Sequence, residues 1–212
     1  MTTGRTNSIH FGLLLHNHQP VGNFPWVFQQ VYEDAYLPML VALERHPGVR
    51  LSLHYTGSLL DWLGEVHPDF LKRLASLVQR RQVEMVGGGY YEPVLPAIPD
   101  SDKIAQIRRL TGRIEHDFGT KPTGMWIAER VWEPSLPCMI READIEWTVL
   151  DDIHFKNAGL EYKDLYGYYA TEDQSSVLKV YATSKTLRYT IPWRSVHETI
   201  DVLRSLATPD GK

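Results

Sequence analysis

The sequence predicts an α/β fold on a parallel sheet, laid out like a (β/α) barrel, and three observations predict it. Short apolar runs alternate with stretches of helical periodicity, as in successive βαβ units. Five of those runs are each followed at once by ionisable or aromatic residues, and a (β/α) barrel gathers its chemistry on the face where its strands end. No repeat, low-complexity tract or linker interrupts the 212 residues, so 1–212 reads as one domain, long enough for a sizeable core.

The first strand is expected over residues 9–15, "IHFGLLL", a continuous apolar run. A helix follows over 25–46, opened by Pro25 and stopped by Pro47-Gly48; Pro38 inside it lacks a backbone donor and predicts a kink or a split. "VRLSLHY" (49–55) alternates as the second strand. Helices over 58–66 and 68–80 come next, and "VEMVGG" (83–88) is the third strand. The helix over 101–118 carries Ile104, Ile107, Ile114 and Phe118 on one side. "TGMWIA" (123–128) is the fourth strand, a helix covers 134–143, and "EWTVLDD" (146–152) is the fifth strand. "VLKVYAT" (177–183) and "LRYTIPW" (187–193) are expected as a hairpin or as successive strands. A last helix over 194–207 sets Val196, Ile200, Leu203 and Ala207 at helical spacing. Five to seven strands are too few to close a barrel, and the last helix has no following strand beside it, so an open edge is expected.

Composition excludes some functions. A net charge of −4, with basic residues scattered and only Lys72, Arg73, Arg80 and Arg81 grouped on one solvated helix face, argues against nucleic-acid binding. Cys138 is alone, so no internal disulfide forms and a reducing, cytoplasmic setting is expected. The first apolar run is too short for a signal core and is interrupted by His16, and no stretch approaches the roughly 20 apolar residues of a membrane span.

The residues past the strands carry the functional question. Strand one ends in His16, Asn17, His18 and Gln19; strand two in His54 and Tyr55; strand three runs through a triple glycine to Tyr90, Tyr91 and Glu92; strand four ends in Glu129 and Arg130; strand five in Asp151, Asp152 and His154. Singly, each has an ordinary structural explanation. Glu92 and Glu133 precede prolines and suit turns or helix starts, Trp126 and Trp132 suit a core, and His16 and His18 are expected to point to opposite sides. Together they fit three activities. A retaining glycosidase needs a nucleophilic carboxylate and a carboxylic acid about 5–5.5 Å apart; a cation such as Arg130 favours the charged form of such a nucleophile, and tryptophans stack on sugar faces. A zinc hydrolase of the polysaccharide deacetylase kind would draw ligands from His16, His18, Asp151, Asp152 and His154. A glucan-binding protein without catalysis would use the aromatic residues alone.

"HNHQP" (16–20), "GGGYYEPVLPAIP" (87–99) and "WIAERVWEP" (126–134) resemble, in order and spacing, the first three signature regions of glycoside hydrolase family 57. "LHNHQPVGNFPWVF" and "VLDDIHFKNAGL" look like its 4-α-glucanotransferase branch. The resemblance runs from about residue 9 to the end and implies an incomplete (β/α)7 barrel acting on α-1,4-glucans and maltooligosaccharides by a retaining mechanism, without cofactor or metal. It implies that Glu129 is the nucleophile and Trp126 a stacking surface beside it. His16, His18 and Glu92 would bind sugar hydroxyls; His54, Arg130, Asp151 and Asp152 are assigned to the same mouth by their place at strand ends. An α-amylase-type hydrolase of the same family is the near alternative.

One part of the family pattern has no counterpart. The family's general acid/base is an aspartate in a later region reading approximately D-G-E-K-F-G. Asp210-Gly211-Lys212 lacks the preceding strand and the "EKFG", so the role is not transferred to Asp210. The chain is therefore expected to be the N-terminal portion of a longer enzyme, with little turnover of natural glucans by itself, because proton donation contributes about 10²–10⁴-fold.

Overall fold

The computed structural model describes residues 7–209 and 211. Strands β1 (Leu14–Asn17), β2 (Leu51–Tyr55) and β3 (Val83–Val86) form a parallel sheet in that order. Strands β4 (Gly124–Met125), β5 (Trp147–Asp151), β6 (Tyr168–Asp173) and β7 (Ser176–Thr183) form a second in the order β4-β5-β7-β6. Gly87, just past β3, joins the two: its N–H donates to Gly124 O at 2.8 Å and its carbonyl accepts from Trp126 N–H at 2.8 Å. Among the described residues every strand-to-strand pairing is parallel except β6 with β7, and the sheet does not close, with β1 and β6 as its outer strands.

β1 is shorter than the apolar run that announces it. Its register with β2 begins at Leu14↔Ser52, and residues before Leu13 have no strand beside them to pair with. Ser8 instead forms an antiparallel bridge with Thr208, past the last helix.

The helix expected over 25–46 is continuous but not uniform. It runs as α1 (Pro25–Val31), a π-helical turn (Tyr32–Tyr36) and α2 (Leu37–Arg45). Pro38 cannot donate to the carbonyl four residues back, and the wide turn before it lets Leu37 N–H reach Tyr32 O, five residues back. The helices α3 (Gly57–Val66), α4 (Pro68–Gln79) and α5 (Asp100–Phe118) lie within a residue or two of expectation.

After β5 the chain departs from the sequence reading. Helices α6 (Leu136–Glu142) and α7 (Asp152–Asn157) flank β5. β7 pairs with β6, not with the residues after it, through a two-residue turn in which Gln174 and Ser175 both have positive φ (48° and 65°), the geometry of a tight hairpin. "LRYTIPW" is no strand: it starts inside α8 (Lys185–Thr190), whose first turn is capped by the Ser184 hydroxyl accepting from Leu187 N–H at 3.3 Å. α9 (Val196–Leu206) is the last helix among the described residues, and Asp210 lies outside them.

Two clusters make the core. One sits among α1–α4 and β1–β3 around Leu59, Leu60, Leu63 and Leu74; the other lies between the second sheet and α6 around Ile127, Ile140, Ile145 and Leu178. α5 serves both, giving Leu110, Ile114 and Phe118 to the first and Ile107 to the second. Among the described residues no helix is long and apolar enough to cross a membrane.

Candidate active site

The parallel register of β1 and β2 sets His16 opposite His54, so both side chains leave the sheet on one side and their Nδ1 atoms meet at 2.8 Å. His16 Nε2 lies 3.0 Å from Glu92 Oε1, and His18 Nδ1 lies 2.5 Å from Glu92 Oε2. The expectation that His16 and His18 diverge is thus corrected: side chains two apart on extended chain share a face, and both grip the same carboxylate.

Glu92 is delivered by the loop after β3, which is tied down upstream. Tyr90 is buried over Gly57, where a Cβ would stand 2.4 Å from its ring, and its hydroxyl donates to Asp61 Oδ1 at 2.8 Å. The Arg109 guanidinium covers the same ring at 4.1 Å, and Tyr91 N–H donates to Gln106 Oε1 at 3.0 Å. Glu92 itself has φ 53°, a left-handed conformation that turns its side chain back towards β1.

Trp126 stacks on His16, with ring centroids 4.6 Å apart and planes 11° apart, and the Arg130 guanidinium stands 5.2 Å from the indole centroid on the way to Asp151. Trp126 Nε1 is buried and has no hydrogen-bond partner among the described residues. Arg130 Nε meets Asp151 Oδ1 at 2.8 Å. Asp151 also takes Arg188 Nη1 at 3.1 Å and the hydroxyl of Thr183, its register partner on β7, at 3.1 Å. Burial pushes the Asp151 carboxyl up, but the hydrogen bond and charge of Arg130, aided by Arg188 and Thr183, hold it below the usual carboxylate range. Arg188 and Thr183 were not among the expected site residues; no local pattern pairs positions 32 and 37 residues from Asp151.

Glu129 stands apart from this network. It is exposed, sits in a single 3₁₀ turn after β4 with φ 50° and ψ 8°, and makes no hydrogen bond or ion pair among the described residues. Arg130 follows with φ 54°. Two successive left-handed residues without glycine are uncommon, and here they separate the two side chains, freeing Glu129 while Arg130 turns to Asp151.

Two further expectations change. His54, placed at the mouth by strand-end logic, is 0% exposed because β2 is an inner strand covered by its neighbours. Burial, then the nearby His16 and His18, hold its pKa well below the ordinary histidine value. Asp152 is buried as the first residue of α7, with Oδ2 lacking a hydrogen-bond partner among the described residues. Asp151 and Asp152 border a cleft of about 220 Å³ that Tyr162, Lys185, Arg188 and Tyr189 also line. The zinc arrangement does not form. His16 and His18 go to Glu92, His154 Nε2 lies 3.1 Å from the Arg130 carbonyl, and no set of three His, Cys, Asp or Glu among the described residues is placed to hold a metal ion.

A family model described as Glycosyl hydrolase family 57 matches residues 12–211. Alpha-amylase 1 of Dictyoglomus thermophilum is 47% identical over 205 residues, 97% of this chain and 30% of that protein. The 4-alpha-glucanotransferase of Thermococcus litoralis is 45% identical over 202 residues, 95% of this chain and 30% of that protein. Its crystal structure superposes with a TM-score of 0.93 over 96% of this chain and 32% of that one. The chain therefore spans about 30% of the length of the curated relatives it matches.

Proposed function

Because the chain belongs to glycosyl hydrolase family 57, we propose that it carries the nucleophile side of a retaining active site for α-1,4-glucans, with Glu129 as nucleophile and 4-α-glucan transfer as the reaction. In this reading the Glu129 carboxylate attacks the anomeric carbon, the glycosidic oxygen leaves with a proton from a general acid, and a covalent glycosyl-enzyme forms. A sugar hydroxyl then attacks the anomeric carbon, giving its proton to the same group now acting as base; the glucan is joined to the acceptor and the Glu129 carboxylate is released. Trp126 offers the stacking surface and the His16–Glu92–His18 cluster takes the hydroxyls. Asp151 is unsuited to be the acid, since two arginines favour its ionised form. We assign the acid to the later family region, which has no counterpart within residues 1–212, and with it the remaining strands of a (β/α)7 barrel.

The observation that carries this reading is the isolation of Glu129: a carboxylate held out past a strand end on left-handed backbone, without any partner among the described residues. Incubation with a fluorinated maltosyl fluoride, whose leaving group needs no proton, followed by intact-mass spectrometry and peptide mapping, tests it. An adduct on Glu129 supports the assignment; no adduct in a folded sample extended through the later region, or an adduct elsewhere, rejects it. Transfer and hydrolysis share the intermediate and differ in what attacks it. Longer maltooligosaccharide products in preference to glucose and maltose mark transfer.

A further inference from the structure

We propose that His54 is a positioning residue: its Nδ1–H donates to His16 Nδ1 and so fixes His16 in the tautomer that donates from Nε2 to Glu92. The donor assignment follows from what surrounds each nitrogen. Glu92 Oε1 stands 3.0 Å from His16 Nε2, and a carboxylate oxygen there is best met by a proton on that nitrogen. In a neutral His16 the remaining Nδ1 is then a lone pair, and the 2.8 Å contact with His54 Nδ1 needs the proton on the His54 side.

The far side of His54 points the same way. A Cβ built on Gly88 would stand 2.6 Å from His54 Nε2, so the glycine C–H in that direction faces this nitrogen. A lone pair accommodates a C–H neighbour as a weak acceptor, whereas an N–H would meet it head-on. Nε2 has no other partner among the described residues, so a proton there would be a buried, unsatisfied donor. Full burial keeps the ring neutral, leaving one ring proton to place, and Nδ1 is the position that has an acceptor. The chain of donors therefore runs His54 Nδ1–H to His16 and His16 Nε2–H to Glu92. The Asn17 amide nitrogen, on the His54 carbonyl at 3.0 Å, holds the two strands in register beneath it.

This explains why a histidine sits on an inner strand where an apolar residue would pack more simply. Gly88 is part of the same device, since any side chain there would displace the ring. That the positioned His16–Glu92 pair then receives a sugar rests on the glucan reading above; the hydrogen-bond relay does not.

NMR of the chain labelled with ¹⁵N-histidine tests the relay without sugar. The expected result is a slowly exchanging ring proton on His54 Nδ1, a nitrogen–nitrogen coupling to His16 Nδ1, and His16 in the Nε2–H form. A ring proton on His54 Nε2 or on His16 Nδ1 overturns the proposal. His54→Asn, whose amide nitrogen can replace Nδ1, is expected to keep the His16 tautomer. His54→Leu is expected to leave His16 a mixture of tautomers, and a single Nε2–H form in a cooperatively folding His54→Leu chain overturns it too. With maltohexaose as the probe, His54→Leu is expected to bind about tenfold more weakly than the parent and His54→Asn nearly as well. Equal binding by parent and His54→Leu overturns the positioning role. A parent chain with the coupling intact but no affinity for maltohexaose upholds the relay and rejects the glucan reading.

Discussion

In the β1–β3 half of the sheet, Glu92 sits between two imidazoles with a third, buried histidine behind them; in the β4–β7 half, Asp151 sits between two guanidiniums. The imidazoles are soft donors that can be neutral and can re-aim, whereas the guanidiniums keep their charge at any ordinary pH. One carboxylate has donors that can turn away from it, and the other is held in its ionised form between fixed cations and anchors Arg130 beside Trp126. The packing differs in the same sense. The first half is wrapped by α1–α5, while the second ends in an antiparallel hairpin with Tyr168 57% exposed. Glu129 lies at the junction, bound to neither carboxylate system.

The sharpest probe of that division is Glu129→Gln. Covalent labelling by the fluorinated maltosyl fluoride should vanish while stability changes by no more than about 0.5 kcal/mol, because the side chain holds nothing in place. A large loss of stability would show Glu129 to be structural. Next in size, Leu63→Ala, in the packed half, should destabilise by about 2–5 kcal/mol in denaturant unfolding, since Leu63 is fully enclosed.

Asp151→Asn should cost about 1–3 kcal/mol at neutral pH by leaving Arg130 underpaired. The pH dependence has a definite sign. The native carboxyl is held below its ordinary value, so its contribution is fully present above about pH 4 and is lost as pH falls through the lower native value. Parent and variant should therefore differ at pH 7 and converge in acid; a gap that persists at low pH would mean the carboxylate charge is not what stabilises. The smallest effect belongs to the exposed hairpin. Tyr168→Ala, which removes a ring 5.6 Å from Tyr181, should cost less than about 1 kcal/mol. If it rivals Leu63→Ala, the contrast between the halves fails.

How much of this was legible before the structure depended on how local each cause is. α3, α4 and α5 bury one face each, and their apolar spacing marks their limits to within a residue or two. The cluster of ionisable groups past the strands was equally readable, since chain order alone puts them on one edge. β6 was not: "YYATED" alternates between exposed and half-buried positions with no apolar face, and its turn is Gln-Ser where Asn-Gly would have announced it. Nor does a sequence show that His54 is enclosed, because enclosure comes from Gly88 and Trp126, just past β3 and β4. The pairing of Arg130 with Asp151 and not with Glu129 depends on two left-handed residues that carry no glycine to signal them.

The π-helical turn at Tyr32–Tyr36 gives the protein a local tolerance of length. Such a turn holds one residue more than α-helical winding needs, so deleting a single residue within it would leave an unbroken, well-formed helix. Because the wide turn takes up that residue within a single revolution, α1 would keep its rotation about the axis relative to α2. Phe28 would stay on the Trp62 ring, 5.3 Å away, and Phe24 and Trp26 would hold the loop after β1 in its present direction. The loop that carries His18 and Gln19 is thus insulated from a one-residue difference some fifteen positions downstream, and homologous chains with and without that residue would present the same entrance over the same core.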